Sequence, residues 1–260
     1  MLPLEKYYNR HKENLRLQRR HGLVEFRVAL KYILDYLPKN EDKKSIKILD
    51  LGAGTGRYTI ELHNMGYDIL AVEPVQHNID VMLQNAPYVQ AKKGNALDLS
   101  FLQDETFNAV IAFGPMYHLI SEKDKLQALS EIKRVAKPDA VIFIAYIQND
   151  YSILTYCFAE NRMPELVKNG FVDENFHIHA AEDEMYDFAS LEYIEELNQK
   201  AGFQRLTILS PDGPSDYMRT QLNYMSDETF ELFIKYQMCR AEQKDLLAAG
   251  SHLVDIVKKL

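Results

Sequence analysis

The 260-residue sequence predicts an α/β fold on a parallel sheet, and three observations carry that expectation. The apolar run Ile48-Leu49-Asp50-Leu51 gives way to Gly52-Ala53-Gly54-Thr55-Gly56, then to a helical pattern over residues 57–65 closed by Gly66. A second strand over residues 67–72 ends in Glu73. Phe107-Asn108-Ala109-Val110-Ile111-Ala112-Phe113 is nearly continuous in apolar residues, as strands covered on both faces are.

The first of these is also a ligand signal. Three glycines in five residues let the backbone approach a bound molecule closely, with the N–H groups of a helix start facing it. Glu73, at the end of the next strand, stands where an acidic side chain takes the two hydroxyls of a ribose. The pair predicts a nucleoside cofactor, and spacing narrows which one. A dinucleotide fingerprint needs Gly-x-Gly-x-x-Gly, but here Arg57 occupies the third glycine position. No Gly-Lys-Ser/Thr follows, so a triphosphatase phosphate loop is absent. Asp50 puts a carboxylate close to the ligand, which suits a cationic cofactor better than a pyrophosphate.

These residues resemble motif I of the class I S-adenosylmethionine-dependent methyltransferases, and the resemblance extends in order over residues 46–147. Gly94-Asn95-Ala96-Leu97-Asp98-Leu99 is similar to the family's Gly-Asp-Ala-x-Asp-Leu segment, whose second residue reads the adenine edge. Asn95 replaces the usual Asp and would meet the adenine amino group through its carbonyl. Gly114-Pro115-Met116-Tyr117-His118-Leu119 resembles the Gly-Pro-Leu-Tyr-His-Leu of a bacterial small-molecule subgroup. An amphipathic helix over 126–135 follows, and Lys137-Pro138-Asp139-Ala140 replaces a Lys-Pro-Gly-Gly turn before a strand over 141–147.

The resemblance implies a Rossmann-like seven-stranded sheet of order 3-2-1-4-5-7-6, S-adenosyl-L-methionine as cofactor, and methyl transfer to a small molecule. It implies cofactor contacts from Asp50, Gly52, Ala53, Gly54 and Tyr58, then Glu73 and Pro74, then Asn95, Ala96 and Leu97, and finally Phe113 and Gly114. Tyr117 and His118 stand just past the fourth strand, on the ligand side of such sheets, and are the catalytic candidates. The alternative has Tyr117 packing on the cofactor and His118 bonding backbone.

Outside that block, residues 1–40 read as a helical cap and 41–260 as the methyltransferase domain. The cap has helices over 3–20 and 23–37 separated at His21-Gly22, with Tyr7, Tyr8, Arg16 or Arg20 closing over the cofactor's methionyl carboxylate. Arg16, Arg19 and Arg20 read equally as a solvated face. Residues 148–189 hold seven aromatics among many carboxylates and are expected to form a lid with an aromatic inner face. His177-Ile178-His179, near Glu182 and Asp183, lacks a further spaced ligand set, so no metal is expected. A helix over 191–201, capped by Gly202, leads to a strand over 203–209. Pro211-Asp212-Gly213-Pro214 then breaks the chain before a helical insertion to about residue 248, with helices over 217–225 and 227–247, the second capped by Ser226. An alternating strand over 252–257 closes the chain.

Composition sets the partners. A net charge of −8 without a long basic run argues against nucleic acid. Gly114-Pro115-Met116-Tyr117 also lacks the polar first residue and second proline of amino-group DNA methyltransferases, and no Pro-Cys nucleophile stands there. The longest apolar segments are strand-length, so no membrane span is expected. The first residues lack a secretory signal, and Cys157 and Cys239 have no paired spacing, as in a cytoplasmic protein. Two other classes stay open: a catalytically silent binder of S-adenosylmethionine or S-adenosylhomocysteine, and a nicotinamide-dependent oxidoreductase. Oligomeric state is left open.

Overall fold

Alternating side chains along the strands place one apolar core on each face of a sheet. The computed structural model describes residues 19–181 and 184–259. Its strands are β1 (Lys47–Leu51), β2 (Asp68–Glu73), β3 (Gln90–Lys93), β4 (Phe107–Ala112), β5 (Ala136–Ile147), β6 (Phe203–Leu209) and β7 (His252–Lys259). They form one sheet in the expected order, β3-β2-β1-β4-β5-β7-β6. The first five are parallel, and β7 lies antiparallel between β5 and β6.

Helices α1 (Arg20–Tyr36), α2 (Arg57–Asn64), α3 (Gln76–Asn85), α4 (Glu122–Val135), α5 (Asn149–Ser152), α6 (Met163–Lys168), α7 (Leu191–Ala201), α8 (Arg219–Tyr224) and α9 (Asp227–Arg240) cover it. Because successive strand residues face opposite ways, Ile48, Phe143 and Ile256 join a core with Val24, Val28 and Ile33 of α1 and Leu62 of α2. Their neighbours Leu49, Ile142 and Val257 join the other, with Leu129 and Ile132 of α4 and Ile194 and Leu197 of α7. Each of α4, α7 and α9 starts on a serine (Ser121, Ser190 and Ser226) whose hydroxyl accepts the N–H three residues on, at 3.1 to 3.2 Å. Gly202, at φ +70°, closes α7 in the left-handed conformation. Among the described residues no helix is long and apolar enough to cross a membrane.

Four expectations about these elements are corrected. The helix α1 runs through His21-Gly22 without a break, since Gly22 lies in its first turn and is buried. Glycine in a helix costs about 1 kcal/mol against alanine, and burial of Val24, Phe26 and Val28 within the next two turns outweighs that. The helix expected over 3–20 falls outside the described residues except at its last two. Lys137-Pro138-Asp139-Ala140 is not a turn: it is the start of β5, bulged where Phe107 pairs with Ala136 and Ala109 with Val141. The residues standing where the family has Gly-Gly are Asp139 and Ala140, and neither takes a positive φ. The helix from Asp227 ends at Arg240, because the next carbonyl, of Ala241, accepts from Ser210 N at 2.9 Å.

The fourth correction concerns residues 148–189. Ile153, Cys157, Met163 and Val172 make a small core of their own, pinned by Asn149, whose side chain donates to Phe176 O at 2.9 Å and accepts from Ile178 N at 3.0 Å. Tyr156, Phe158, Phe171 and Phe176 are 39–51% exposed, so they form no inner face over a pocket. Among the described residues of the insertion, Glu184 and Met185 line the cavity described next.

Candidate active site

The parallel strands β1, β2 and β4 end together, and the loops that leave them surround one cavity of about 1050 Å³. The glycine loop is tied to β2, with Gly52 N donating to Val72 O at 2.8 Å and Gly54 N to Glu73 Oε2 at 2.8 Å. Its three glycines all have positive φ, but they face different surroundings. A Cβ on Gly52 would stand 2.9 Å from Pro115 Cδ, so this glycine lets the loops after β1 and β4 touch. One on Gly56 would meet the Met82 side chain of α3. One on Gly54 would meet no atom within 4 Å: it would project into open space at the cavity wall. Gly54 is the bare stretch of backbone that a ligand would cover.

Two carboxylates lie beneath this loop. Asp50 is 2% exposed and accepts from Thr59 Oγ1 at 2.6 Å. Burial pushes its carboxyl up to about 6, with the Thr59 hydroxyl opposing and Glu73 adding to the rise. Burial likewise raises Glu73, against hydrogen bonds that hold it down. Glu73 Oε1 accepts from Val75 N at 3.1 Å and Asn78 Nδ2 at 3.0 Å, and Oε2 accepts from Gly54 N. A carboxylate has about four acceptor positions, so these bonds leave Oε2 the capacity for one ligand hydroxyl.

The other predicted cofactor residues gather on the same wall. Tyr58 sits between Phe26 and Phe113, with ring centroids 5.1 Å from each. Pro74, Ala96, Leu97 and Gly114 line the cavity, as do Ala53 and Asn95. Asn95 departs from its expected use, because its carbonyl closes a turn by accepting from Leu97 N at 2.8 Å. Tyr8 and Arg16 lie outside the described residues. Arg20 turns away, donating to Leu222 O at 2.8 Å and Asp227 Oδ1 at 2.6 Å.

Tyr117 and His118 line the cavity from the short turn Pro115–Tyr117. The Tyr117 hydroxyl donates to Phe113 O, and His118 Nδ1 donates to Met185 O at 2.8 Å. That second bond belongs to a strap, residues 184–189. Asp187 N donates to Tyr117 O at 2.9 Å, and the Asp187 carboxylate pairs at 2.9 Å with Lys125, which is 1% exposed. Breaking a buried pair of this kind costs about 3–5 kcal/mol, so the strap is fixed to α4. His179 does not line the cavity, and its ring lies 2.9 Å from Asp173. Glu182 and Asp183 lie outside the described residues, among which no cluster of His, Cys, Asp or Glu is placed to hold a metal ion.

Wall residues that sequence did not single out include Glu25 of α1, Met185 of the strap, and His252 at the start of β7. The topology itself was the usable signal for His252. An antiparallel last strand beside β5 begins where β5 ends, and His252 does pair with Ile147.

Comparison with known proteins completes the picture. A family model described as a methyltransferase domain matches residues 48–139. An uncharacterised methyltransferase of Mycobacterium bovis is 32% identical over 104 residues, 40% of this chain and 41% of that protein. The chain thus spans about two fifths of the length of the first curated relatives it matches. A demethylmenaquinone methyltransferase of Lactiplantibacillus plantarum is 31% identical over 173 residues, 61% of this chain and 70% of that protein. A crystallised S-adenosylmethionine-dependent methyltransferase from Archaeoglobus fulgidus, 17% identical, shares the fold with a TM-score of 0.58 over 92% of this chain and 94% of its own.

Proposed function

The chain belongs to the class I S-adenosylmethionine-dependent methyltransferases, and from that premise we propose that it transfers the cofactor's methyl group to a small molecule bound beside Tyr117 and His118. The observation that carries this reading is the cavity. Small-molecule sites span about 300–1,000 Å³; at about 1050 Å³ this one stands at the top of that range, and its lining runs past the nucleoside wall to Tyr117, His118 and His252.

The residues present fit the cofactor. The open side of Gly54 and the loop amides would cradle the methionyl end, Asp50 would face its ammonium group, Glu73 would accept from a ribose hydroxyl, and Asn95 to Leu97 would flank the adenine. When bound, S-adenosylmethionine supplies a methyl on a sulfonium, already activated for displacement. The chain's task is then alignment and exclusion of water. Alignment supplies up to about 7–11 kcal/mol of barrier reduction in favourable cases. Tyr117, the strap at 184–189 and α1 enclose the acceptor lobe, and His118 is oriented by Met185. The Gly-Pro-Met-Tyr-His-Leu run supports a place in the small-molecule subgroup it resembles. A mere sensor of the cofactor has no use for a lobe beyond it.

Calorimetry with S-adenosylmethionine, S-adenosylhomocysteine and NAD tests the cofactor, and product detection over a metabolite panel tests the transfer. Binding of the first two with no heat from NAD is expected, followed by a mass gain of one methylene in an acceptor. NAD binding, or cofactor binding without any methylated product, overturns the reading.

A further inference from the structure

His252 lines the acceptor end of the cavity with a carboxylate built beneath it. Its Nδ1 lies 3.1 Å from Asp212 Oδ2. Asp212 is 2% exposed and held on every side. Its Oδ2 accepts from Ser251 N at 3.1 Å, from His252 N at 3.2 Å and from the Ser251 hydroxyl, while Ser210 Oγ lies 3.1 Å from Oδ1. Gly250 leaves room for it, since a Cβ there would stand 2.5 Å from Asp212 Oδ1. Among the described residues, the Ser251 hydroxyl lies 2.9 Å from Nδ1, Glu25 of α1 lies 3.9 Å from it, Asp216 acts through its charge, and the Tyr117 ring stands at 6.4 Å.

The Ser251 hydroxyl donates to Asp212, so Nδ1 faces two acceptors, the Ser251 oxygen and Asp212 Oδ2, and carries the proton. That selects one tautomer, assigns proton exchange to Nε2, and stabilises the imidazolium once formed. No cofactor contact proposed above uses this pair. We infer that His252, oriented by Asp212, takes the proton from the methyl acceptor, and that the acceptor is an amine. The inference rests on the methyltransferase reading. An ammonium near pKa 10 lies about four units above an ordinary imidazole, a gap a positioned base can cross, whereas an alcohol lies far higher. The surroundings also suit a cation: Glu25 stands on the wall, with the rings of Tyr117, His118 and Tyr186 grouped at centroid spacings of 4.8 to 6.3 Å.

In the step, the ammonium N–H bond breaks, its proton passes to His252 Nε2, and its electron pair stays on nitrogen. That pair forms the new N–C bond as the methyl's bond to sulfur breaks, the sulfur keeping those electrons. The imidazolium then returns its proton to solvent.

The test uses the full chain with S-adenosylmethionine and a panel of primary and secondary amines, alcohols and thiols. His252→Gln is expected to lower kcat for amines at pH 7 by at least a hundredfold, with KM and S-adenosylhomocysteine affinity little changed. The deficit should shrink as pH rises toward 10, where the amine sheds its own proton. Asp212→Asn should give a similar loss, and nitrogen-15 NMR of histidine-labelled protein should show the Nδ1–H tautomer of His252 in wild type and its disappearance in this variant. If Asp212→Asn fails to fold, His252→Gln and the wild-type spectrum decide alone. A wild-type rate in His252→Gln, a deficit flat with pH, or methylation confined to alcohols or thiols overturns the proposal while leaving methyl transfer standing. Absence of any S-adenosylhomocysteine binding to wild type overturns both.

Discussion

The two halves of the cavity are built by different means. At the β1–β2 end the ligand surface is mostly backbone: a glycine loop, the amides around it, and Glu73, whose carboxylate bonds Gly54 only nineteen residues earlier. At the β5–β7 end it is made of side chains brought together from far apart: Asp212 under His252 across forty residues, His118 on Met185 across sixty-seven, and Lys125 on Asp187. A backbone site depends on conformations that few residues adopt, so it leaves a short, dense signature in the chain. A side-chain site depends on who meets whom after folding, and ordinary residues serve. The second is where one acceptor is told from another.

The sharpest way to break this comparison is at the glycines. Gly54→Val is expected to weaken S-adenosylhomocysteine binding by a hundredfold or more, since a branched side chain would fill the open space now beside its backbone. The folded state should lose only the strain of a left-handed residue, about 1–2 kcal/mol. Gly52→Val should do the reverse in emphasis, because its Cβ meets Pro115 rather than the cavity, and its melting temperature should fall further than that of Gly54→Val. Calorimetry beside thermal melts checks both. Equal affinity in wild type and a folded Gly54→Val protein would mean that the cofactor lies elsewhere.

Gly250→Ala probes the other half. Its Cβ would stand 1.8 Å from Ser210 Oγ and 2.5 Å from Asp212 Oδ1, so the Asp212 network must shift. Overpacking of this kind costs about 1–3 kcal/mol. Methyl transfer should fall at least tenfold while S-adenosylhomocysteine affinity stays within about twofold. A parallel loss of both would show that the two halves are not separable.

Glu73→Gln comes next. It keeps the shape but replaces the charge that accepts from Gly54, Val75 and Asn78. Hydrogen bonds to charged groups contribute about 1.5–3 kcal/mol, and one of them to a ribose hydroxyl predicts roughly a tenfold loss in cofactor affinity. The Gly54 bond makes some loss of stability part of the same result. Undiminished affinity in this variant would remove Glu73 from the ribose.

The unequal legibility of the chain follows from the same contrast. The glycine loop, β1, β2 and β4, and the helix α7 with its Gly202 cap were readable because periodicity and caps are local, while the strand order came only from the family resemblance. The break assigned to His21-Gly22 was wrong, since packing of the residues after it overrides a weak local preference. The turn assigned to Lys137-Pro138-Asp139-Ala140 failed because the motif's glycines are missing here. Tyr156, Phe158, Phe171 and Phe176 were misread for a third reason: composition says that rings are present, not which way they face, and these four are 39–51% exposed. Asp212 looked like part of a chain break, and only its burial beneath Ser251 and His252 gives it a role.

The smallest expected effect concerns Asp50, where both kinds of construction meet, a buried side chain serving the backbone cradle. Its folded carboxyl sits at about 6, above the unfolded value of about 3.9. The native state therefore binds this proton more tightly, and the stability that results is fully present below about pH 4 and lost as pH rises through 6. Above that the charge is a fixed penalty of at most about 3 kcal/mol. Asp50→Asn should keep an oxygen for the Thr59 hydroxyl and remove the charge. Its melting temperature should approach wild type only below about pH 4 and exceed it by a few degrees at pH 8. The cofactor reads the opposite sign. A cationic group beside Asp50 favours the ionised form, so wild-type affinity for S-adenosylmethionine should fall as pH drops below 6, and the variant should bind weakly with little dependence on pH. Melting curves and calorimetry at pH 5 and pH 8 separate the two. If the variant matches wild type in affinity at both, Asp50 serves the fold alone, and the cradle is backbone and Glu73 only.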